Sequence, residues 1–156
     1  MIGTAKIDKT GRYRYRLRRE WDSSLPAVGF LMLNPSTADA EVLDPTVRRC
    51  LGYAKAWGYG ALEVVNLFAL RSTDPKELYR AEDPVGPDND VAIIECFREV
   101  DKMICAWGSH GGFRRRGHEV KDMLLSEGVI YCLKLTQSGH PSHPLYLPKD
   151  LTPNPY

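Results

Sequence analysis

Two histidines lie close together in the segment GHPSHPLYLP at residues 139–148. The prolines and the glycine of this segment prevent it from continuing a helix or filling the middle of a sheet. His140 and His143 are therefore held either in a stiff loop or in a loose tail. A fixed imidazole can donate a hydrogen bond to a leaving group as negative charge develops there. No carboxylate or cysteine has the spacing that would complete a metal site with them, so we predict no metal and no cofactor.

Two asparagines accompany apolar runs that are typical of buried strands. Asn34 follows AVGFLML and precedes Pro35 and Ser36, so its amide would be held rigidly to orient a water or to bind a base edge. Asn-Pro is also a common turn, which leaves a structural role for Asn34 as the alternative. Asn66 lies inside ALEVVNLFAL, where a buried amide needs a partner, either a ligand or a neighbouring backbone group.

The apolar runs alternate with segments of helical periodicity. Predicted strands are AVGFLMLNPS, ALEVVNLFAL, KMICAWG and VIYCLKLT, and predicted helices span residues 45–57, 88–100 and 114–127. Asp44 and Pro45 have the residue types of a helix N-cap and first turn. This alternation predicts a single three-layer α/β domain with a mostly parallel, four-stranded central sheet flanked by helices. The α/β core spans residues 27–148, and the alternating residues 1–22 predict an appended basic β-hairpin.

Each predicted strand ends in polar residues, glycine or proline. Because the carboxyl ends of parallel strands form the ligand crevice of such sheets, Asn34, Asn66, His110 and His140 are expected at one edge. The segment GHPSHPL is therefore predicted to be a stiff part of a site. His110, in WGSHGG, is either a site residue or a cap of the following helix.

Further candidate ligand-binding residues lie near these strand ends. Arg71 follows Asn66 closely, and His143 follows His140. Phe68 and Tyr146 are the aromatic residues nearest the predicted crevice, where a ring can stack on a base.

Positive charge is concentrated in two places. Residues 1–20 hold seven lysines and arginines against two acidic residues, and their alternation places Arg14 and Arg16 on one face of the predicted hairpin. The second cluster is FRRRGH, with Arg114, Arg115 and Arg116. Both clusters have the composition of phosphate-binding surfaces, and the alternative is two solvated faces.

The composition narrows the class of protein. The 156 residues are 43% hydrophobic and 26% charged, as in an ordinary globular domain. No apolar run approaches the roughly 20 residues of a membrane span, and the first 20 residues lack the apolar region of a signal peptide. We therefore expect a cytoplasmic protein with no membrane partner. The four scattered cysteines are predicted to be buried thiols.

Nearly the whole chain, from GRYRYRL through LNPSTADAEVLDPTVRRC, PVGPDND and AWGSHG to GHPSHPLYLP, resembles a bacterial and phage family of unknown function, DUF1643. That resemblance implies no activity.

The strand-end motifs are also similar, more distantly, to those of the uracil-DNA glycosylase superfamily. Asn34-Pro35-Ser36 matches the motif that positions the attacking water, and Asn66 matches an asparagine that binds the extruded base. HPSHPL has the form of the final motif with His143 inserted. The resemblance implies that His140 supports the departing base and that Leu145 fills the gap in the duplex. It also implies a uracil-DNA-glycosylase-like fold.

The resemblance leads to a first functional hypothesis, a protein that binds an extruded or single-stranded nucleobase and hydrolyses its N-glycosidic bond, with DNA as the expected partner. One alternative is a hydrolase or transferase that acts on a free nucleoside, nucleotide or modified base. The other is a nucleic-acid-binding module without catalysis.

Overall fold

Four apolar runs of the sequence form the parallel centre of one sheet. The computed structural model describes residues 1–36 and 44–156. The parallel strands are adjacent in the order β4-β3-β5-β6, so the predicted parallel core is confirmed. They span β3 (Ala27–Met32), β4 (Ala61–Asn66), β5 (Lys102–Cys105) and β6 (Tyr131–Cys132). Because β4 is shorter than the predicted run, Asn66 is its last residue, at the carboxyl edge of the sheet.

The predicted N-terminal hairpin forms but belongs to the main sheet. β1 (Ile2–Ile7) and β2 (Arg14–Glu20) pair antiparallel, and β2 also pairs antiparallel with β4. A short β7 (Asn154–Pro155) pairs with β6 at the opposite edge. The sheet therefore has seven strands in the order β1-β2-β4-β3-β5-β6-β7, and the prediction of a four-stranded sheet with an appended hairpin is wrong. The hairpin joins the sheet because Leu17 pairs with Val64 and is buried there.

Helices cover both faces of the sheet. One apolar cluster joins α1 to one face, and the other joins α3 and α4 to the opposite face, as expected for three layers. The three predicted helices are confirmed, and a short α2 between β4 and α3 is additional. The helices are α1 (Pro45–Ala56), α2 (Pro75–Arg80), α3 (Asn89–Glu99) and α4 (Arg116–Leu125). None of the helices in the described ranges is long and apolar enough to cross a membrane. All four cysteines are buried and free, as predicted.

A β-bulge breaks the alternation of the hairpin arginines. Lys6 pairs with Arg16 and Ile7 pairs with Arg14, so Tyr15 is an extra residue in β2. A bulge of this kind reverses the side-chain alternation of a strand. Arg14 is buried and borders a cavity at the carboxyl edge of the sheet, whereas Arg16 reaches the C-terminal end of α3.

Arg16 forms a buried ion pair. Its guanidinium lies 3.1 Å from Glu63 and 2.8 Å from Glu99, and the side chains of Arg16 and Glu63 are 8% and 5% exposed. These contacts raise the pKa of Arg16 above its already high ordinary value. The predicted exposed basic face of the hairpin is therefore wrong at Arg14 and Arg16, which are both buried, whereas Arg12 of the same face is exposed.

Replacing Arg16 with methionine is expected to lower the free energy of unfolding by about 2–4 kcal/mol, because the buried Glu63 carboxylate loses a partner. Urea unfolding measures the change. The matched control is Arg98→Met, which breaks the more exposed pair with Glu127 and should cost less than about 1 kcal/mol. Equal small losses from both variants would contradict a structural role for Arg16.

Candidate functional site

A cavity of about 840 Å³ opens at the carboxyl ends of β3, β4 and β5. This volume lies within the range of small-molecule sites, and the position is the one that parallel α/β sheets use for ligands. Apolar walls are formed by residues such as Met32, Val64 and Trp107. Its polar and charged lining includes Arg14, Asn34, Ser36, Asp44, Asn66 and His143.

Asn66 is a buried amide that borders the cavity. The residue is 1% exposed, and its side-chain Nδ2 has no hydrogen-bond partner in the structure. A buried donor without a partner costs about 1–3 kcal/mol, so such groups are uncommon in folded proteins. A ligand that presents a hydrogen-bond acceptor to Asn66 would recover this energy.

Side-chain hydrogen bonds hold the backbone at the end of β4, where Asn66 lies. The Asn89 side-chain Nδ2 donates to the backbone carbonyls of Asn66 at 2.9 Å and Leu67 at 3.0 Å. Arg116 Nε donates to the Leu67 carbonyl at 2.9 Å. These contacts fix the backbone that carries the Asn66 side chain, so the amide is presented in a defined orientation.

Asn34 borders the same cavity, and its Nδ2 binds the neighbouring loop. Nδ2 lies 2.9 Å from the carbonyl of Ser72, 3.1 Å from that of Pro35 and 3.4 Å from that of Leu70. The Ser72 backbone N–H donates to Pro35 in return. Asn34 therefore joins the segment after β3 to the segment after β4. These contacts agree with a structural role for Asn34, the alternative to orienting a water or binding a base.

Asn34→Asp is expected to lower the free energy of unfolding by about 2–3 kcal/mol, because a carboxylate would face carbonyl oxygens. Thermal and urea unfolding at neutral pH measure it. Asn154→Asp is the matched control, since this exposed asparagine donates to one carbonyl, that of Thr152. If Asn34→Asp were as stable as the control, the loop contacts would not contribute to stability.

His143, rather than His140, lines the cavity. Its Nδ1 accepts a hydrogen bond of 3.3 Å from the Leu145 backbone N–H, so a neutral ring carries its proton on Nε2. Burial lowers the pKa of His143 below its ordinary value, and the Asp44 carboxylate opposes part of that shift. At neutral pH the residue is thus a neutral imidazole with its one N–H at Nε2.

His140 is held by a hydrogen bond to Trp107. Its Nδ1 accepts a hydrogen bond of 3.2 Å from the Trp107 indole, and its ring lies 5.7 Å from that of His118, centre to centre. Burial is the larger cause of its lowered pKa, and His118 adds to it. His140 is absent from the cavity lining, and its role at a departing base stays a prediction.

The loop that carries both histidines is tied to the fold. The Gly108 backbone N–H donates to the Pro141 carbonyl at 2.7 Å, and the Ser142 N–H donates to Lys134 at 2.8 Å. Thr136 and His140 bind each other through backbone and side-chain groups. GHPSHPL is therefore a stiff loop and not a loose tail.

The remaining predicted ligand-binding residues divide into two groups. Those at the cavity are Pro35, Ser36, His110, Leu145 and Tyr146, and Tyr146 is 85% exposed at the opening. Phe68 and Arg71 are not among the lining residues. Phe68 is fully buried in the apolar core beside Phe113, because β4 turns after Asn66, so its predicted stacking position is wrong. The Arg71 guanidinium lies 3.5 Å from the carbonyl of Gly11.

The second basic cluster is also mainly structural. Arg116 is buried and pairs with Asp90 at 2.6 Å and Glu119 at 2.8 Å, so its predicted phosphate contact is wrong. Arg114 donates to the Ala81 carbonyl at 3.0 Å, beside the end of α2. Arg114 and Arg115 are both exposed in the structure.

Asp44 is a carboxylate at the cavity that no sequence motif indicates as a site residue. One oxygen caps α1 by accepting from the Val47 backbone N–H at 2.8 Å, and the other accepts from the Ser36 hydroxyl at 2.6 Å. The Asp-Pro pair indicated only a helix cap. The missing signal was its closeness to Ser36, which precedes it by eight residues in the sequence. No group of three His, Cys, Asp or Glu side chains suited to a metal occurs within residues 1–36 and 44–156.

Comparison with known proteins identifies the family. No curated protein and no solved structure matches the chain significantly. The model of a protein family of unknown function, DUF1643, matches residues 14–145, which include both Asn66 and His143. The match covers most of the 156 residues, and the chain therefore belongs to the DUF1643 family.

Proposed function

We propose that this protein binds a nucleobase in the cavity and hydrolyses the N-glycosidic bond of a free nucleoside or nucleotide. The observation that carries the proposal is the buried Asn66 amide, whose Nδ2 lacks a partner at the cavity wall. Nucleobases have planar apolar faces and hydrogen-bonding edges, which fit apolar walls with one fixed amide. The similarity of the strand-end motifs to the uracil-DNA glycosylase superfamily supports the same chemistry.

His143 supplies the second requirement of this reaction. Cleavage of the bond leaves its electron pair on the base and makes the sugar cation-like. The neutral His143 ring carries its proton on Nε2, because Nδ1 accepts a hydrogen bond from the Leu145 backbone N–H. A donor held in place before the reaction stabilises charge that develops on the base oxygen. His143 therefore takes the role that the sequence motif had given to His140.

The placement of the arginines favours a small substrate over a nucleic acid. Arg14, Arg16 and Arg116 are buried, and Arg16 and Arg116 are paired with carboxylates. A surface for a polyanionic backbone needs several exposed cations. Of the five arginines predicted to bind phosphates, only Arg114 and Arg115 are exposed.

Product analysis tests the proposal. Wild-type protein and Asn66→Ala are incubated with nucleosides, nucleotides and single- and double-stranded oligonucleotides. The substrates carry uracil, mismatched thymine, hypoxanthine or a modified pyrimidine, and mass spectrometry detects the free base. We expect base release from nucleosides or nucleotides by wild type, equally at low and high salt, and none by Asn66→Ala.

The other outcomes separate the alternatives. Release from oligonucleotides alone, with a rate that falls steeply with salt, would assign the chemistry to a nucleic-acid substrate. Binding of an oligonucleotide without release of any base would identify a non-catalytic module. The absence of both release and binding, with the protein shown to be folded, would overturn the proposal.

A further inference from the structure

Asp44 places a negative charge in the wall of the cavity. Its two carboxylate oxygens are oriented by the Val47 backbone N–H and the Ser36 hydroxyl, at 2.8 and 2.6 Å. Ser36, Thr46 and Val47 line the cavity with it. The carboxylate is therefore a fixed group with a defined direction.

The same wall is unsuited to a phosphate. The N-terminus of a helix normally attracts anions through its free backbone N–H groups. At α1 the Asp44 carboxylate already accepts one of these N–H groups, and Pro45 has none to offer. A second anion here would meet a like charge, so this part of the cavity favours a neutral or cationic group.

The cavity contains a second, independent feature that a ligand would satisfy. Asn66, the last residue of β4, lines the same cavity as Asp44, and its Nδ2 is buried without a partner. Asp44 and His143 also lie near enough for the carboxylate to raise the pKa of the imidazole against the effect of burial. Thus one cavity holds the Asn66 amide as a donor to a base, the His143 ring as a donor to an anion and the Asp44 carboxylate as a partner for a cation.

Building on the proposed function, we propose that Asp44 is a catalytic carboxylate that stabilises the cation-like sugar and accepts a proton from the attacking water. The bond between the sugar carbon and the base nitrogen breaks, and its electron pair leaves on the base. The water oxygen forms the new bond to the sugar carbon, and one water proton passes to Asp44 and then to solvent. The anionic base takes up a proton from solvent, so the products are a free base and a free sugar hydroxyl.

The test exploits two Asp-Pro helix caps in one chain. Asp74 caps α2 through the Lys76 backbone N–H at 2.9 Å, as Asp44 caps α1, and Asp74 is absent from the cavity lining. Asparagine caps helices as well as aspartate does. Asp44→Asn therefore removes the charge and keeps the cap, and Asp74→Asn is the matched control. Asp44→Ser is a second uncharged capping variant, should Asp44→Asn fold poorly.

The measurement is affinity for two sugar mimics at neutral pH. One is a pyrrolidine analogue with a protonated ring nitrogen, and the other is the neutral tetrahydrofuran analogue of the same shape. We expect wild type and Asp74→Asn to prefer the cation by about tenfold or more, and both Asp44 variants to lose the preference. Binding of the free base should be unchanged in all of these proteins.

The outcomes distinguish this inference from the proposed function. A cation preference that persists in both Asp44 variants would overturn the role of Asp44. Wild type that binds the free base without preferring the cation would also overturn it, while leaving the base site intact. Wild type that binds neither the base nor either sugar mimic would overturn both proposals.

Discussion

Asn66→Ala is expected to reduce nucleobase affinity by about 100-fold or more while the free energy of unfolding stays within about 1 kcal/mol of wild type. The binding loss follows because the variant removes a fixed donor at the cavity wall. Stability is preserved because the Nδ2 that is removed has no partner in the structure, so truncation relieves a desolvation cost as it loses packing. Calorimetric titration with free bases and urea unfolding measure the two quantities.

Asn89→Ala is the matched control for this prediction. Asn89 is also fully buried, but its Nδ2 donates to two carbonyls at the end of β4. Its truncation should cost about 2–3 kcal/mol of stability. A loss of stability in Asn66→Ala as large as that in Asn89→Ala would identify Asn66 as a structural amide.

His143→Asn is expected to lower the rate of base release by about 100-fold or more, since removing one preorganised donor to a developing anion has an effect of this size. Asparagine can still cap the short turn at Pro144–Tyr146, as the His143 Nδ1 does, but it lacks the distal N–H of the ring. Single-turnover kinetics measure the rate. His118→Asn, an exposed histidine outside the cavity lining, should leave the rate unchanged.

The pH dependence of the wild-type rate gives a second test of His143. Because burial lowers the pKa of His143 below its ordinary value of 6.5, the neutral ring predominates at neutral pH. The rate should be constant above pH 6.5 and should fall as the pH is lowered further. The contribution of the neutral ring to the free energy of unfolding depends on pH in the same way. It is fully present above pH 6.5, the unfolded-state pKa, and is lost as the pH falls through the folded-state pKa. A rate that rises on acidification would contradict a neutral donor.

The sequence predicts the architecture because its local patterns and its tertiary contacts agree. Apolar runs without alternation became the parallel strands β3 to β6, and Asp44-Pro45 began α1 as its residue types require. Asn66 was found because an amide among apolar residues is unusual wherever it lies. The location of the cavity at the carboxyl ends of the parallel strands was also predictable from the alternation of strands and helices.

The wrong predictions concern the direction in which individual side chains point, which depends on local backbone changes and on contacts between distant residues. The bulge at Tyr15 separates Arg14 from Arg16, and no alternation pattern reveals it. The two histidines of GHPSHPL are three residues apart in similar sequence contexts, and the contact of His140 with Trp107, which is distant in sequence, does not show in that pattern. The burial of Arg116 depends on Asp90 and on the Leu67 carbonyl, which are distant in sequence.

The side-chain amide resonances of Asn66 test the central claim most directly. In a ¹⁵N-labelled protein, the Asn66 amide is assigned by its loss in Asn66→Ala and is followed during titration with free uracil, thymine, cytosine and hypoxanthine. We predict that at least one base shifts this amide in a saturable manner, because Nδ2 gains the hydrogen-bond partner that it lacks in the structure. The Asn89 amide, already bound to two carbonyls, should shift far less. An Asn66 amide that no base moves, in a folded protein, would contradict the assignment of this cavity as a nucleobase site.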